Sequence, residues 1–284
     1  MNDHLSFGER NAFSLVLFMY DTLKKDVDLI ILDDPISSFD KNKKFAILNM
    51  LFRRANTFKD KTVLMLTHDF EPIIDIHYNL PHKFNPRPYV TFLQTDKGQL
   101  REIEIKKNDI MTFIEIASEN ISNLEENINK LIYLRRLYEI SLNKNEAYNL
   151  ISNLLHKRPK PIVRVIGGED VGERDMTEEE ISVANIEINE KIDGFDYESI
   201  LGDLTDQGKM VKIFRKANNN YERLQLYRII FNENNDNEVI KKFINETFHI
   251  ENDYILQLNP CKFETVPQYI MDECEKDIKK IEII

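Results

Sequence analysis

Asp28-Leu29-Ile30-Ile31-Leu32-Asp33-Asp34-Pro35-Ile36-Ser37-Ser38-Phe39-Asp40 is the stretch whose reading decides the fold. Val27 to Leu32 is an apolar, β-branched run, the pattern of a strand buried on both faces of a parallel sheet. Two carboxylates end it, Pro35 breaks it, and Ser37 to Asp40 form a polar loop into the next segment. Lys41 to Phe52 has helical length, and Thr62 to Leu66 reads as a second buried strand. Strand, helix, strand implies a crossover and an α/β architecture.

Two flanking runs add chemistry. Upstream, Leu5-Ser6-Phe7-Gly8-Glu9-Arg10 opens an apolar helix over Phe13 to Leu23. It sets a hydroxyl and a bare backbone at a helix N-terminus, where amides and the dipole favour a phosphate. Downstream, Leu66-Thr67-His68-Asp69 leaves the second strand, so His68 can donate to a γ-phosphate. Asp33 can hold Mg²⁺, and Asp34 can orient an attacking water, since phosphoryl transfer needs positioning more than covalent chemistry. Each run alone also fits a helix cap or an exposed strand end; the three together, in order, point to a nucleotide.

With these motifs the chain resembles the C-terminal lobe of the ABC-type ATPase heads of SMC-like and RecF-like proteins. The Asp33 to Asp40 run, with Asp34 where most heads carry Glu, is similar to the AAA-family group that includes the PrrC and RloC anticodon nucleases. The resemblance implies a P-loop ABC-ATPase lobe of parallel strands, helices and a β-hairpin, followed by a mostly helical region. It makes Ser6, Phe7, Gly8 and Glu9 the signature loop, Asp33 the Mg²⁺-holding aspartate and Asp34 the catalytic carboxylate. Ser38 and Asp40 then form the loop that contacts nucleotide across a dimer, and His68 is the switch histidine. It further implies ATP and Mg²⁺ as ligands and head-to-tail pairing, in which one signature loop closes over nucleotide held by the other head.

One part of the pattern is missing. None of the 8 glycines fits G-x-x-x-x-G-K-[ST]; Gly202 to Gly208-Lys209-Met210 has the wrong spacing and no hydroxyl for Mg²⁺. Without that loop the phosphates lose their backbone cradle and lysine. The expectation is a truncated or split ATPase whose missing half is supplied by another chain, or a homodimer completed in that way. Such a chain binds or hydrolyses ATP only when completed.

The remainder divides by composition. Tyr89 to Leu93 and Leu100 to Ile105 flank a glycine-containing turn and predict a hairpin closing the lobe at about residue 106. Long helices are expected over 107–162, one running from Ile110 to Leu142 and a second from Asn145 to His156, ended by Pro159 and Pro161. Residues 163–176, with three glycines, read as a linker. Thr177 with Glu180 resembles a capping box opening a helical region over 177–284.

By the same resemblance, the helical region offers a ribonuclease reading. The related nucleases use Arg-x-x-x-Glu and a later His, here Arg135, Glu139 and His249. His and Glu would serve as acid and base for attack of a ribose 2′-OH, with Arg offsetting transition-state charge. Arg and Glu one turn apart are equally the pattern of a surface ion pair, and His249 of a structural histidine. His156 competes for the same role. Two further readings are an SMC-like DNA-repair ATPase fragment, whose heptad coiled coil is not visible, and an inactive remnant. RNA or DNA as a partner stays open, and phage defence is the biological setting the resemblance implies.

Composition narrows the field. With 49 acidic and 38 basic side chains the net charge is −11, which argues against a generic nucleic-acid-coating surface. Cys261 and Cys274 show no metal spacing, and no apolar segment reaches membrane-spanning length, so the expected compartment is the cytoplasm with no membrane partner.

Overall fold

The computed structural model describes residues 6–85, 87–96, 98–167, 170–231, 237–248 and 256–282. It is a mixed α/β protein in two compact units, Met1–Ile110 and Met111–Ile284.

In the first unit, helix α1 (Phe7–Leu23) starts at the Ser6 motif itself, six residues before the apolar periodicity begins. Strand β1 (Ile30–Asp33) leads through the Pro35 turn to α2 (Lys41–Phe52), whose bounds follow from Asp40 accepting from the Lys43 amide as N-cap. Strand β2 (Val63–Leu66) pairs with β1 in parallel, Ile30 opposite Val63 and Asp33 opposite Leu66. A short helix α3 (Glu71–Ile73) widens into a π-helical turn over Ile74–Asn79. Strands β3 (Thr91–Asp96) and β4 (Gln99–Glu104) form the antiparallel hairpin, with Gly98 at φ +80° in its turn. Met19, Ile30, Leu32, Ile36, Phe39, Leu48, Leu51 and Phe58 form the centre of this unit's core.

The reading of both strands as buried on two faces is corrected by the structure. Ile30 and Leu32 are buried, but Ile31 is 57% and Leu64 47% exposed, and Leu29 and Leu66 are exposed with them. Among the described residues only β1 and β2 pair in this sheet, and burial is confined to the face that carries Ile30 and Leu32.

The second unit is mainly helical. A short strand at the junction, β5 (Ile110–Thr112), pairs with β8 (Leu256–Leu258). The expected single helix from Ile110 to Leu142 is two, α4 (Phe113–Asn123) and α5 (Asn127–Ile140). Leu124 adopts extended backbone at the C-cap of α4, and the Thr112–Glu115 capping box fixes the start of that helix. Helix α6 (Glu146–Leu155) follows Asn145 as N-cap.

Residues 163–176, expected as a linker, instead form most of an antiparallel hairpin, β6 (Ile162–Gly167) and β7 (Asp170–Asp175). Ile162, Val163, Val165 and Ile166 are strand formers, and Arg164 lies 3.6 Å from Glu173 on the partner strand. Helices α7 (Glu178–Asn189), α8 (Tyr197–Thr205), α9 (Gln207–Lys216), α10 (Asn220–Phe231), α11 (Glu238–Phe248) and α12 (Gln268–Glu282) complete the unit. Their core includes fully buried Tyr133, Tyr227, Phe214, Leu131 and Leu150. Tyr133 and Tyr221 stack at 5.6 Å between ring centroids.

Candidate nucleotide site in the first unit and the arginine cluster in the second

The carboxylates at the end of β1 and the histidine after β2 meet because the strands are parallel and in register. Both chains leave the sheet at the same end, where ligands of parallel α/β sheets bind. Asp34 stands at φ +47°, a left-handed conformation that an Asp tolerates better than most residues. Its amide donates to the Leu66 carbonyl at 2.8 Å, which extends the β1–β2 ladder by one bond. The two oxygens of its side chain are held separately. Thr67 Oγ1 donates to Oδ1 at 3.3 Å, and His68 Nδ1 lies 3.1 Å from Oδ2. The imidazole is otherwise open to solvent, and Asp34 is about one-third exposed. Asp33 is exposed beside it.

A second layer fixes the His68 turn. The Asp69 amide donates to Thr67 Oγ1 at 3.0 Å, and the Glu71 amide to Asp69 Oδ1 at 3.0 Å. Lys44, from the second turn of α2, is largely buried and forms ion pairs with both Asp69 and Glu71, the latter at 2.9 Å. Those carboxylates raise the Lys44 pKa against the lowering effect of its burial. A path of polar contacts therefore runs from the helix after the Ser38–Asp40 loop to the side chain of Asp34.

The Ser6 motif folds as a capping box. Ser6 Oγ accepts from the Glu9 amide at 3.3 Å, and Glu9 accepts from the Ser6 amide at 2.8 Å, which lowers the Glu9 pKa. Phe7 and Glu9 point outward. Two contacts tie this helix to the loop after β1: Asn11 Nδ2 donates to Ser38 Oγ at 2.9 Å, and Gly8 lies against the Phe39 ring. A Cβ on Gly8 would come only to 3.8 Å from that ring, ordinary contact, so packing inside this unit does not demand a glycine.

The donor set suits Mg²⁺. This ion keeps several waters and takes one or two carboxylates besides phosphate oxygens, which Asp33 and its neighbour can provide. Among the described residues no group of three His, Cys, Asp or Glu side chains could hold a metal by itself. Thr67, Lys44 and Asn11 escape sequence reasoning. Thr67 at least lies within the Leu66 to Asp69 run, but Lys44 and Asn11 are each 27 residues from the partner that makes them informative.

In the second unit Arg135 and Glu139 share a face of α5, at 3.7 Å. The shorter bond to Glu139 comes from Arg136, at 2.7 Å. Arg135 Nε donates to Ser152 Oγ at 3.0 Å, and its guanidinium lies over the Tyr148 ring. Half-burial alone would raise the Glu139 pKa, but the Arg136 bond and the charges of Arg135 and Lys144 lower it. Arg228 of α10, an exposed residue overall, has its pKa lowered by partial desolvation of its guanidinium and then by the charges of Arg135 and Arg136. The pair is thus part of a half-buried arginine cluster and not a surface ion pair. His249 lies outside the described residues. His156 caps α6 through its backbone amide. Cys261, an exposed residue, and buried Cys274 are unpaired with each other, and desolvation of each sulfur pushes both thiols up to about 12.

Residues 1–157 match the AAA domain family AAA_13, and the chain belongs to that family. Similarity to curated proteins is local. Over 84 residues the chain is 29% identical to the "Uncharacterized chromosomal cassette SCCmec type IVc protein CR006" of Staphylococcus aureus strain MRSA252, and to the same-named protein of Staphylococcus aureus. That stretch is 27% of this chain and 12% of each relative, so the match spans about an eighth of their length. No solved structure matches the chain. No helix among the described residues is long and apolar enough to cross a membrane.

Proposed function

We propose that this chain is the signature-bearing part of an ABC-type ATPase head that senses and hydrolyses ATP in a head-to-tail dimer and thereby controls its helical unit, with phage defence as the setting. The observation that carries the reading is the convergence of Asp33, Asp34, Thr67 and His68 at one end of two parallel strands, with Asp34 held at φ +47°. Asp34 accepts a proton from, and orients, the attacking water. His68 donates to a γ-phosphate oxygen while its other nitrogen is aligned by Asp34. Asp33 would hold Mg²⁺, which would supply positive charge to offset that of the phosphates. Ser6, Phe7, Gly8 and Glu9, linked to Ser38 by Asn11, face the nucleotide of the opposing head, and Asp40 shapes the intervening loop as the α2 N-cap. The phosphate cradle comes from a segment carrying G-x-x-x-x-G-K-[ST]. Alone, the chain is expected to give only background ATP turnover. With the completing segment, Mg²⁺-dependent turnover should appear and fall at least about 100-fold in Asp34→Asn, on the scale of losing one positioned catalytic group. Robust turnover by the isolated chain would overturn this account.

A second reading, an ATP-regulated anticodon-nuclease-like ribonuclease, is favoured by the half-buried placement of Arg135 and Glu139 beside Arg136 and Arg228. In it Glu139 and His249 exchange protons with the ribose 2′-OH and leaving oxygen, and Arg135 offsets phosphate charge. RNA cleavage lost in Arg135→Ala and His249→Ala with unchanged circular dichroism supports it. Intact cleavage in both variants rules it out.

A further inference from the structure

One carboxylate of the second unit is buried without a countercharge. Glu222, in the first turn of α10, is only 3% exposed, and among the described residues it forms no ion pair. Taking a carboxylate out of water calls for a positive partner. Glu222 is bonded instead to neutral groups: Asn129 Nδ2 donates to Oε2 at 3.1 Å, and the Cys261 thiol donates to Oε1 at 3.4 Å. The Cys261 sulfur also lies 3.5 Å from the Tyr133 hydroxyl and accepts from Asn219 Nδ2 at 3.5 Å. Asn129 is likewise 3% exposed, and its Oδ1 is buried with no hydrogen-bond partner. Four side chains from distant parts of the chain therefore converge: Asn129 and Tyr133, one turn apart on α5, Glu222 of α10, and Cys261 in the turn after β8.

We propose that these four side chains form a binding site for a zinc-type divalent cation. The inference does not rest on the ATPase reading above. Donor spacing supports it. Zinc holds sulfur at about 2.3 Å and oxygen at about 2.0 Å in a tetrahedron, so its sulfur and oxygen ligands stand about 3.5 Å apart. The Cys261 sulfur stands 3.4 Å from Glu222 Oε1 and 3.5 Å from the Tyr133 hydroxyl. A half-turn of the Asn129 amide brings its orphaned oxygen to the Glu222 side, where Nδ2 now lies. Charge supports the site as well. The ion displaces the thiol proton to solvent, and the thiolate and the Glu222 carboxylate together offset its two positive charges, which leaves a neutral buried centre. A thiolate among oxygen donors selects zinc over magnesium or calcium. Only two of the donors are carboxylate or thiol, and they lie 39 positions apart, so no ligand motif shows in the sequence. The bound ion pins the turn after β8 to α10 and to α5, the helix that carries Arg135 and Glu139.

The test uses the full chain, stripped with a chelator and titrated with Co²⁺, whose thiolate complexes show a near-ultraviolet charge-transfer band. One equivalent should develop the band, and Zn²⁺ should bleach it. Cobalt held by carboxylate and imidazole alone, as at Asp33 and His68, gives no such band. Cys261→Ser should abolish the band, and Cys274→Ala should keep it. Glu222→Gln preserves an acceptor for Asn129 and should weaken cobalt binding beyond the about 100-fold that loss of an outer partner costs. Asn129→Asp adds a charged oxygen donor and should tighten binding, so the site is tested even where another variant fails to fold. No band at one equivalent, a band that survives Cys261→Ser, or unchanged affinity in Glu222→Gln and Asn129→Asp would overturn the proposal.

Discussion

Replacing Lys44 with Met tests whether the site is held from α2. The Lys44 ammonium is largely buried between Asp69 and Glu71, and its removal leaves two carboxylates facing each other with Asp69 only 13% exposed. Breaking a buried pair from one side costs about 3 to 5 kcal/mol; the partial exposure of Glu71 places this case near the lower end, about 3 kcal/mol. Native-state hydrogen exchange of the β1 and β2 amides reads the opening free energy of that unit. A loss of about 3 kcal/mol speeds their exchange by roughly 150-fold, at about 1.4 kcal/mol per decade. Adding Asp69→Asn and Glu71→Gln removes the uncompensated charge and should recover all but about 1 kcal/mol. The sign with pH follows from the raised Lys44 pKa. Its contribution is full below the unfolded value of about 10.4 and fades as pH rises through the folded value. Exchange that changes less than about threefold in Lys44→Met, or no recovery in the triple variant, would refute the reasoning.

Other expectations are more local. Asp34→Gly and Asp34→Ala both delete the carboxylate, so their difference isolates the backbone; at φ +47° the glycine variant should be about 1 kcal/mol more stable by urea unfolding. Tyr227→Phe removes a 2.8 Å bond from the buried ring's hydroxyl to Asp277 and should cost about 1 to 2 kcal/mol of the second unit's stability. Glu180, held at about 2 by Arg174 and then by the Thr177 amide, is a depressed carboxylate. Its stabilising effect is present above the unfolded value of about 4.3 and is lost as pH falls toward about 2, so the start of α7 should fray over that window by NMR.

What sequence reveals here depends on range. The start of α2, the β3–β4 hairpin and the Thr177 capping box are local matters of cap and turn chemistry, and the described elements fall where those residues place them. The hairpin at 162–175 hides from such a reading because its glycines outweigh the β-branched residues beside them. Ile31 and Leu64 mislead for another reason. An apolar strand residue looks the same whether or not a neighbour covers it, and the cover is not local. Asp33, Asp34 and His68 stand out in the sequence by order and spacing, and the fold brings His68 Nδ1 to 3.1 Å from Asp34. Lys44 and Asn11 carry meaning only through partners that the fold brings to them.

The parallel pairing of β1 and β2 has a further consequence, for when the site comes into being. Ile30 pairs with Val63, 63 − 30 = 33 positions away, so no local turn can close the ladder. Bringing Asp34 to Thr67 and His68 therefore requires closing the loop through the whole crossover, and non-local pairings of such span slow folding. The crossover also contains Arg53 and Arg54 in an exposed bend between α2 and Phe58. A single tryptic nick there would separate the two halves of the cluster covalently while leaving each strand intact. The contacts of Asp34 with Thr67 and His68 thus depend on a pairing that no local turn supplies.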